Sequence, residues 1–228
     1  LAVKAASAEL GLLGTEKRNA ALAAIADALM AHEADILAAN ELDLADGRAN
    51  GMSESMLDRL ALTSARIEGM AEGVRQLIAL PDPVGEVVEE FTRPNGLRIR
   101  KVRVPLGVIG MIYEARPNVT VDTAAIALKT GNGILLRGSA SALRSNLALA
   151  SAMRGALKSA GVPENALAVV EDTAHEGVDR MLRMNDCVDV IIPRGGAGLI
   201  RRVLETATVP VLETGVGNCH VYLDESAN

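Results

Sequence analysis

Residues 113–118, Tyr-Glu-Ala-Arg-Pro-Asn, combine side chains that could bind an anionic substrate and polarise it. Arg116 suits an anion, and the amide of Asn118 suits a developing oxyanion, because both are hydrogen-bond donors that need no proton exchange. Glu114 adds a carboxylate to the predicted substrate-binding set. Asn118 has a second interpretation, which is that it caps a helix beginning at Val119. The two roles are compatible.

A second segment, Ile-Pro-Arg-Gly-Gly-Ala-Gly at 192–198, is a glycine-rich turn between an apolar run and a helical pattern. Glycines at such a turn let the backbone approach a phosphate, and the helix N-terminus offers free N–H groups and partial positive charge. The predicted cofactor-binding residues here are Arg194, Gly195, Gly196, Ala197 and Gly198. The spacing matches neither G-x-G-x-x-G nor G-x-x-x-x-G-K-[ST], so a tight turn without a ligand remains an alternative.

The third segment is Arg137-Gly138-Ser139, at the end of the second predicted strand of the sheet. In a nucleotide-binding sheet this position meets the adenosine ribose, where a carboxylate selects an unphosphorylated 2′-hydroxyl and an arginine accommodates a 2′-phosphate. The segment has an arginine and a hydroxyl but no acid. It therefore favours the phosphorylated cofactor NADP(H), with a surface arginine at a strand end as the alternative.

The cysteines and histidines predict no metal site and no nucleophile. Cys219 and His220 are neighbours, but if 219–223 is a strand their side chains point to opposite faces and cannot easily share a proton. Cys219 is better interpreted as buried and inert, and Cys187 as packing at the start of a strand. Two cysteines and three scattered histidines give no metal-ligand spacing.

The elements that would position these segments follow from the pattern after Pro105, where short apolar runs alternate with amphipathic stretches. The predicted strands are 108–112, 134–136, 167–170, 188–192 and 209–212, and the predicted helices are 119–129, 143–160, 176–184 and 199–206. Near-continuous apolar strands with helical crossovers indicate an α/β fold with a doubly wound, parallel, five-stranded sheet. Such sheets bind ligands at the carboxyl ends of their strands, where the three segments lie.

The first eighty residues predict a layer of several helices, with Thr15 and Thr63 as caps and a new helix starting near Ser53. Asn95-Gly96 then separates two strand-like arms and predicts a two-residue hairpin. The apolar alternation of the second arm changes phase at 100–101, which predicts a bulge there.

Four basic residues mark the second arm of this hairpin: Arg98, Arg100, Lys101 and Arg103. They allow two interpretations, a surface for an anion or nucleic acid and a strand edge that charge protects from unwanted pairing. The second is the simpler.

Composition restricts the class of protein. The 228 residues carry 23 Lys+Arg against 29 Asp+Glu, a net charge of −6, and 1% aromatic residues, which argues against nucleic-acid binding. No apolar run is long enough for a spanning helix, no signal peptide is evident and cysteines are few, so we expect a cytoplasmic protein without membrane contact. The chain starts at Leu1 and ends in a polar stretch, so we expect it to be part of a longer protein.

Four strings resemble the gamma-glutamyl phosphate reductase family of the aldehyde dehydrogenase superfamily. They lie at 108–120, 128–132, 192–198 and 217–222, and the likeness runs along the whole chain. The resemblance implies an aldehyde dehydrogenase-like cofactor domain covered by the N-terminal helices and hairpin. It also implies reduction of L-glutamate 5-phosphate by NADPH to L-glutamate 5-semialdehyde with release of phosphate, a step of proline biosynthesis.

In that family a cysteine thiolate in a Ser-x-Cys-Asn string attacks the acyl phosphate, and no such string occurs in residues 1–228. The resemblance therefore implies that the nucleophile is not in this chain. Asn118 matches the superfamily's oxyanion asparagine. Glu213 lies where aldehyde dehydrogenases carry a glutamate that activates water, but a reductase that releases phosphate need not hydrolyse its thioester, so we do not expect that role.

The resemblance further implies residues 1–104 as helices and hairpin, 105–228 as the NADP-binding core, and a catalytic domain beyond 228. It suggests a homo-oligomer and functional coupling to glutamate 5-kinase. A different class of function stays open, a non-catalytic NADP(H)-binding or regulatory module.

Overall fold

The computed structural model describes residues 1–213 and 220–227, apart from the side chain of His175. The helices are α1 Ala2–Gly11, α2 Thr15–Ala31, α3 Glu33–Ala49, α4 Glu54–Leu60, α5 Ser64–Ala79, α6 Asn118–Lys129, α7 Leu143–Ser159, α8 His175–Met181 and α9 Ala197–Thr206. The strands are β1 Val87–Thr92, β2 Arg98–Val102, β3 Val108–Tyr113, β4 Gly133–Arg137, β5 Leu167–Val169 and β6 Val190–Arg194. No helix in the described part of the chain is long and apolar enough to cross a membrane.

The central sheet is parallel and has four strands in the order β5-β4-β3-β6. The predicted fifth strand at 209–212 is a correction, because it contributes only an isolated bridge between Val211 and Ile191. Ile191 donates to Pro210 O at 2.8 Å and accepts from Leu212 N at 2.9 Å. Pro210 has no N–H to extend the ladder, which accounts for the short pairing.

The strand order creates a topological switch point between β3 and β6. The chain first moves outward from β3 through β4 to β5, and it then returns to place β6 on the other side of β3. Connections that leave in opposite directions open a crevice at the carboxyl ends of the two central strands. Residues 113–118 and 192–198 border that crevice.

Helices cover both faces of the sheet, because the side chains of β3 alternate between two apolar clusters. Met111 and Tyr113 pack with α6, α7 and the N-terminal helices α2 and α5, whereas Val108 and Ile112 pack with α8 and α9. This confirms the doubly wound α/β fold. The N-terminal helices form a second layer outside α6 and α7.

One of the two predicted helix caps is confirmed. Thr63 caps α5 by accepting from the Arg66 amide at 3.2 Å. Thr15 is the first residue of α2 and does not cap it; the N-cap is Gly14. The Thr15 hydroxyl donates instead to Asp82, which also pairs with the buried Arg18. The Thr15 hydroxyl therefore bonds the carboxylate of Asp82, which is distant in sequence, and not a backbone amide of α2. Ser53 precedes α4 as predicted.

Helix α1 fills the amino end of the sheet. Ser7 Oγ donates at 2.8 Å to the carbonyl of Gly107, the residue before β3. It also accepts at 3.1 Å from the amide of Gly133, the first residue of β4. Lys4 Nζ lies 2.5 Å from Asp189, which also accepts from the Val108 amide at 2.7 Å. The opposite, carboxyl end stays open for a ligand.

The hairpin forms where the sequence predicts it, but its turn and bulge differ. Gly96 has φ +86°, and no residue other than glycine has a positive φ among those described, so Asn95 does not adopt the left-handed conformation that a type I′ two-residue turn requires. The turn closes through Gly96 N to Arg93 O at 2.9 Å. The extra residue of the bulge is Val88 in β1, opposite the 101–102 step, and not a residue of β2.

The basic edge of the hairpin is partly neutralised from within. Arg98 pairs with Glu90 at 2.6 Å and Arg103 with Glu86 at 2.8 Å. The interpretation as a charge-protected edge therefore fits the structure better than an anion-binding surface.

Candidate functional site

Two of the predicted ligand-binding segments meet at the crevice. Tyr113 and Arg194 are paired across β3 and β6, so the loops that follow them run side by side. The Gly196 amide donates to Glu114 Oε1 at 3.2 Å. A Cβ on Gly195 would lie 2.9 Å from the Glu114 carboxyl carbon and 2.8 Å from Leu199, so a side chain here would displace both of these side chains.

The contact shows what the glycine turn can bind. Gly196 is the N-cap of α9, and its N–H takes a carboxylate oxygen. The first N–H groups of a helix lack intrahelical partners and attract negative charge. Glu114 therefore occupies, from within the protein, the kind of position that a phosphate oxygen would take.

A cavity of about 330 Å³ beside these loops is lined by three arginines. Arg116 and Arg194 come from the predicted segments, and Arg59 comes from α4 in the helical layer. None of the three guanidinium groups makes a hydrogen bond or ion pair with another residue within 1–213 or 220–227, and all three side chains are exposed. Unpaired guanidinium groups converging on one cavity suit a multiply charged anion such as a phosphate.

Sequence reasoning missed Arg59. It lies within an ordinary amphipathic pattern, Glu54–Leu60, and no local signal marks it. Buried hydrogen bonds fix the end of this helix: Asn40 Nδ2 donates to Leu60 O at 2.9 Å, and Asn40 Oδ1 accepts from Leu62 N at 2.7 Å. Only the tertiary packing of α4 brings Arg59 to the crevice.

Asn118 borders a neighbouring cavity of about 430 Å³. The second interpretation of Asn118, as the cap of this helix, is wrong, because Asn118 lies inside α6, whose N-cap is Pro117. Its amide donates to Asp122 Oδ2 at 3.1 Å. A carboxamide has two N–H groups, so a second one is free for an oxyanion. Burial raises the pKa of Asp122, and the hydrogen bond from Asn118 opposes this only in part.

A third cavity, of about 390 Å³, lies between the carboxyl ends of β3 and β4 and helix α9. Both apolar and charged residues contribute to it. It is lined by Ile112, Tyr113, Glu114, Arg137, Ser139, Val178, Gly198, Leu199 and Arg202. Two of the predicted cofactor-binding segments, 137–139 and 194–198, thus contribute to one groove.

Arg137 has internal partners at this groove. Its guanidinium donates to Thr173 O at 2.6 Å, Gly138 O at 3.2 Å and Ala174 O at 3.3 Å. Burial lowers the pKa of Arg137, and the charge of Asp172 opposes that shift. These contacts hold the guanidinium at the end of β4 and tie it to the loop after β5.

A buried hydrogen-bonded chain supports the floor of the site. Tyr113 Oη lies 2.7 Å from Thr120 Oγ1, which donates to Asn146 Oδ1 at 2.9 Å. A Cβ on Gly138, the residue after β4, would lie 2.2 Å from Nδ2 of the buried Asn146, so a side chain here would disrupt this chain. Burial raises the pKa of Tyr113 to about 12, with the Thr120 hydrogen bond opposing the shift.

The remaining candidates lie elsewhere. Cys187 is buried and precedes β6, so it is at the amino end of the sheet, as expected of a packing residue. Glu213 and His220 are exposed, and Cys219 lies outside the described residues. Across the described ranges, no cluster of His, Cys, Asp or Glu could hold a metal ion.

The fold is a doubly wound α/β sheet with a crevice at its topological switch point, lined by a glycine-rich turn and three arginines. The aldehyde dehydrogenase family profile matches residues 1–228, and the chain belongs to that family.

Within the family the chain is similar to gamma-glutamyl phosphate reductases. It is 62% identical to that of Geobacillus thermodenitrificans over 99% of this chain and 54% of the relative. The crystal structure of the Thermotoga maritima protein of that name matches with a TM-score of 0.94 at 49% identity, over 100% of this chain and 55% of that one. The Saccharomyces cerevisiae structure matches with a TM-score of 0.86 at 29% identity, over 95% and 55%. The chain spans about half the length of these relatives.

Proposed function

We propose that this chain is the cofactor-binding part of an NADPH-dependent reductase that converts L-glutamate 5-phosphate to L-glutamate 5-semialdehyde and phosphate. The observation that carries the proposal is the convergence of the glycine turn, Asn118 and three guanidinium groups at the switch point of the sheet. The names of the similar proteins supply the substrate.

The residues at the crevice fit a dinucleotide. The Gly196 amide already takes an anionic oxygen, Gly195 and Gly196 add no side chains of their own to the turn, and the adjoining groove is lined by apolar residues and by Arg137 and Arg202. Arg194 to Gly198 would hold the pyrophosphate, and Arg137, Gly138 and Ser139 the adenosine ribose. When bound, NADPH supplies the hydride that reduces the acyl group.

The fixed position of the Arg137 guanidinium supports a preference for NADPH over NADH. Backbone carbonyls fix its guanidinium beside the groove, whereas Arg202, which lines the same groove, is paired with Asp179 at 3.0 Å. A positive charge held in place without a competing carboxylate bond of its own favours a 2′-phosphate.

The substrate would be bound through its charged groups. Arg116 and Arg59 suit the acyl phosphate, and the free N–H of Asn118 suits the oxyanion that forms when the acyl carbon is attacked. We propose that the attacking cysteine comes from a Ser-x-Cys-Asn string outside residues 1–228, because Cys187 is buried at the other end of the sheet.

We also propose the division into residues 1–104, which cover the core, and 105–228, which hold the cofactor. The remaining parts of the proposal are a cytoplasmic homo-oligomer and functional coupling to glutamate 5-kinase. The oligomer is supported by the exposed apolar side chains of the hairpin, and the coupling by the instability of an acyl phosphate in water.

Cofactor binding tests the proposal in the full-length natural protein. Gly195→Ala forces a Cβ against Glu114 and Leu199, so we expect the Kd for NADPH, measured by nucleotide fluorescence, to rise at least about tenfold. Gly73→Ala is the matched control, since its Cβ would meet open space on α5. Failure of the unaltered protein to bind NADPH, or equal affinity in both variants, would contradict the assignment of the turn.

A further inference from the structure

The cavity beside Asn118 carries charges of both signs, which a phosphate alone does not use. Its charged lining residues are Asp58, Arg59, Arg66, Arg116 and Asp122, and Leu62 and Met70 supply apolar wall. A cavity with carboxylate and guanidinium groups around an apolar wall suits a ligand that is itself zwitterionic.

Two of these charges already satisfy each other. Arg66 lies 2.9 Å from Asp58 Oδ1 and also donates to Ala61 O at 2.7 Å. Asp122 differs, because no Lys, Arg or His within the described residues lies at ion-pair distance from it. Its one hydrogen bond comes from the neutral amide of Asn118. The carboxylate of Asp122 is therefore the acceptor that a cationic group of a ligand can use.

The Asp122 carboxylate lies in a cavity that adjoins the proposed phosphate-binding groups. Arg59 and Arg116 line both the mixed-charge cavity and the cavity of three guanidinium groups, so the two cavities adjoin along these side chains. A substrate whose phosphate lies among the arginines can extend its other end past Asn118 towards Asp122. In L-glutamate 5-phosphate that other end is an α-ammonium and an α-carboxylate.

We propose that Asp122 is a specificity-determining residue that binds the α-ammonium group of the substrate. This inference rests on the proposed function, since it takes the phosphate end of the substrate from there. The raised pKa of Asp122 is in keeping with it, because burial penalises a carboxylate that a cationic ligand would then stabilise. The hydrogen bond from Asn118 would link occupation of this subsite to the orientation of the oxyanion donor.

Two stable phosphonates test the inference in the full-length natural protein by titration calorimetry. L-2-amino-6-phosphonohexanoate copies the length and charges of the substrate, and 6-phosphonohexanoate lacks only the ammonium group. We expect the unaltered protein to bind the amino compound at least about tenfold more tightly. Asp122→Asn should reduce that preference to within about twofold, while affinity for 6-phosphonohexanoate is unchanged or slightly higher.

The outcomes separate this inference from the proposed function. Binding of 6-phosphonohexanoate reports the phosphate end, and its retention in Asp122→Asn also shows that the variant is folded. Equal binding of both compounds by the unaltered protein, or a preference that survives Asp122→Asn, overturns the role of Asp122 and leaves the proposed function intact. Failure of both to bind overturns the proposed substrate and this inference together. Glu68→Gln removes an exposed carboxylate of α5 outside these cavities and should keep the preference.

Discussion

At the scale of single residues, the site depends on groups whose surroundings decide their chemistry. Glu114 and Asp122 are both carboxylates near the same arginines, yet one accepts from a helix N-terminal amide and the other from a neutral side-chain amide. Tyr113 is the last residue of β3, with 2% of its surface exposed. Its hydroxyl belongs to the buried chain that leads to Asn146, so it supports the site through its hydrogen bonds.

Tyr113 gives a prediction at this scale. Its pKa of about 12 in the folded protein lies above the 10.0 of a free tyrosine, because burial disfavours the phenolate. The folded state then keeps its proton where the unfolded chain loses it. We expect the free energy of unfolding to fall by about 3 kcal/mol in total as the pH rises from 10 to 12.

Denaturant unfolding at several alkaline pH values measures this effect, with Tyr113→Phe as the control. The variant lacks the ionising group, so its stability should lose that part of the pH dependence. A tyrosinate absorbance signal that disappears in Tyr113→Phe and titrates at the ordinary pKa would show that the phenol is not shielded as the structure indicates.

At the scale of elements, a buried polar network joins the helical layer to the α/β core. Asn40 Nδ2 donates to Ser145 Oγ at 3.0 Å, and Asp43 accepts from both the amide and the hydroxyl of Ser145, at 2.8 and 2.7 Å. The network connects α3 to α7 and, through the backbone at Leu60 and Leu62, fixes the end of α4. The helical layer thus positions Arg59 as well as covering apolar surface.

Asn40→Leu should therefore destabilise the protein strongly. The substitution leaves Leu60 O and Leu62 N buried without their partner, and each unsatisfied group costs about 1–3 kcal/mol, so we expect a loss of about 3 kcal/mol. Chemical denaturation measures it. Asn50→Leu, at the exposed end of α3, is the control and should change stability by less than about 1 kcal/mol. Equal losses in the two variants would argue against the network.

At the scale of the whole molecule, the rest of the structure leaves the hairpin largely uncovered. All residues of β1 are exposed, and the apolar side chains there include Val87, Val88 and Phe91 with exposed fractions of 44%, 49% and 41%. Adjacent exposed apolar side chains on a two-stranded sheet favour burial against another surface. A second copy of the chain is the partner that the proposed homo-oligomer supplies.

Val88→Asp tests this arrangement in the full-length natural protein. A carboxylate buried at a contact between copies lacks a partner. We therefore expect the sedimentation coefficient to shift towards that of the monomer and the Kd for self-association to rise at least about tenfold. Leu12→Asp is the control, because Leu12 is 89% exposed and lies between α1 and α2. Val88 is a better probe than Arg98, which pairs with Glu90 and holds the hairpin itself together. An unchanged assembly in Val88→Asp would exclude the hairpin as the contact.

The sequence by itself determined the α/β class, most of the elements after Pro105 and the loops that carry the site. These features follow from the local sequence, because the spacing of apolar residues and the position of glycine-rich turns are set within short stretches of the chain. It could also predict that residues 113–118 and 192–198 would be near each other, since carboxyl ends of parallel strands share one edge. It could not place the bulge on β1 or limit the sheet to four strands, because both features depend on how one strand pairs with another. The N–H that Pro210 lacks matters only for such pairing.

Only the tertiary structure decided which side chains complete the crevice. The placement of Arg59 depends on hydrogen bonds between α3, the end of α4 and α7, which are remote in sequence. The 3.2 Å contact of the Gly196 amide with Glu114 depends on the pairing of β3 with β6, which brings the two loops together. Such contacts are products of packing between elements, and local residue pattern carries no record of them.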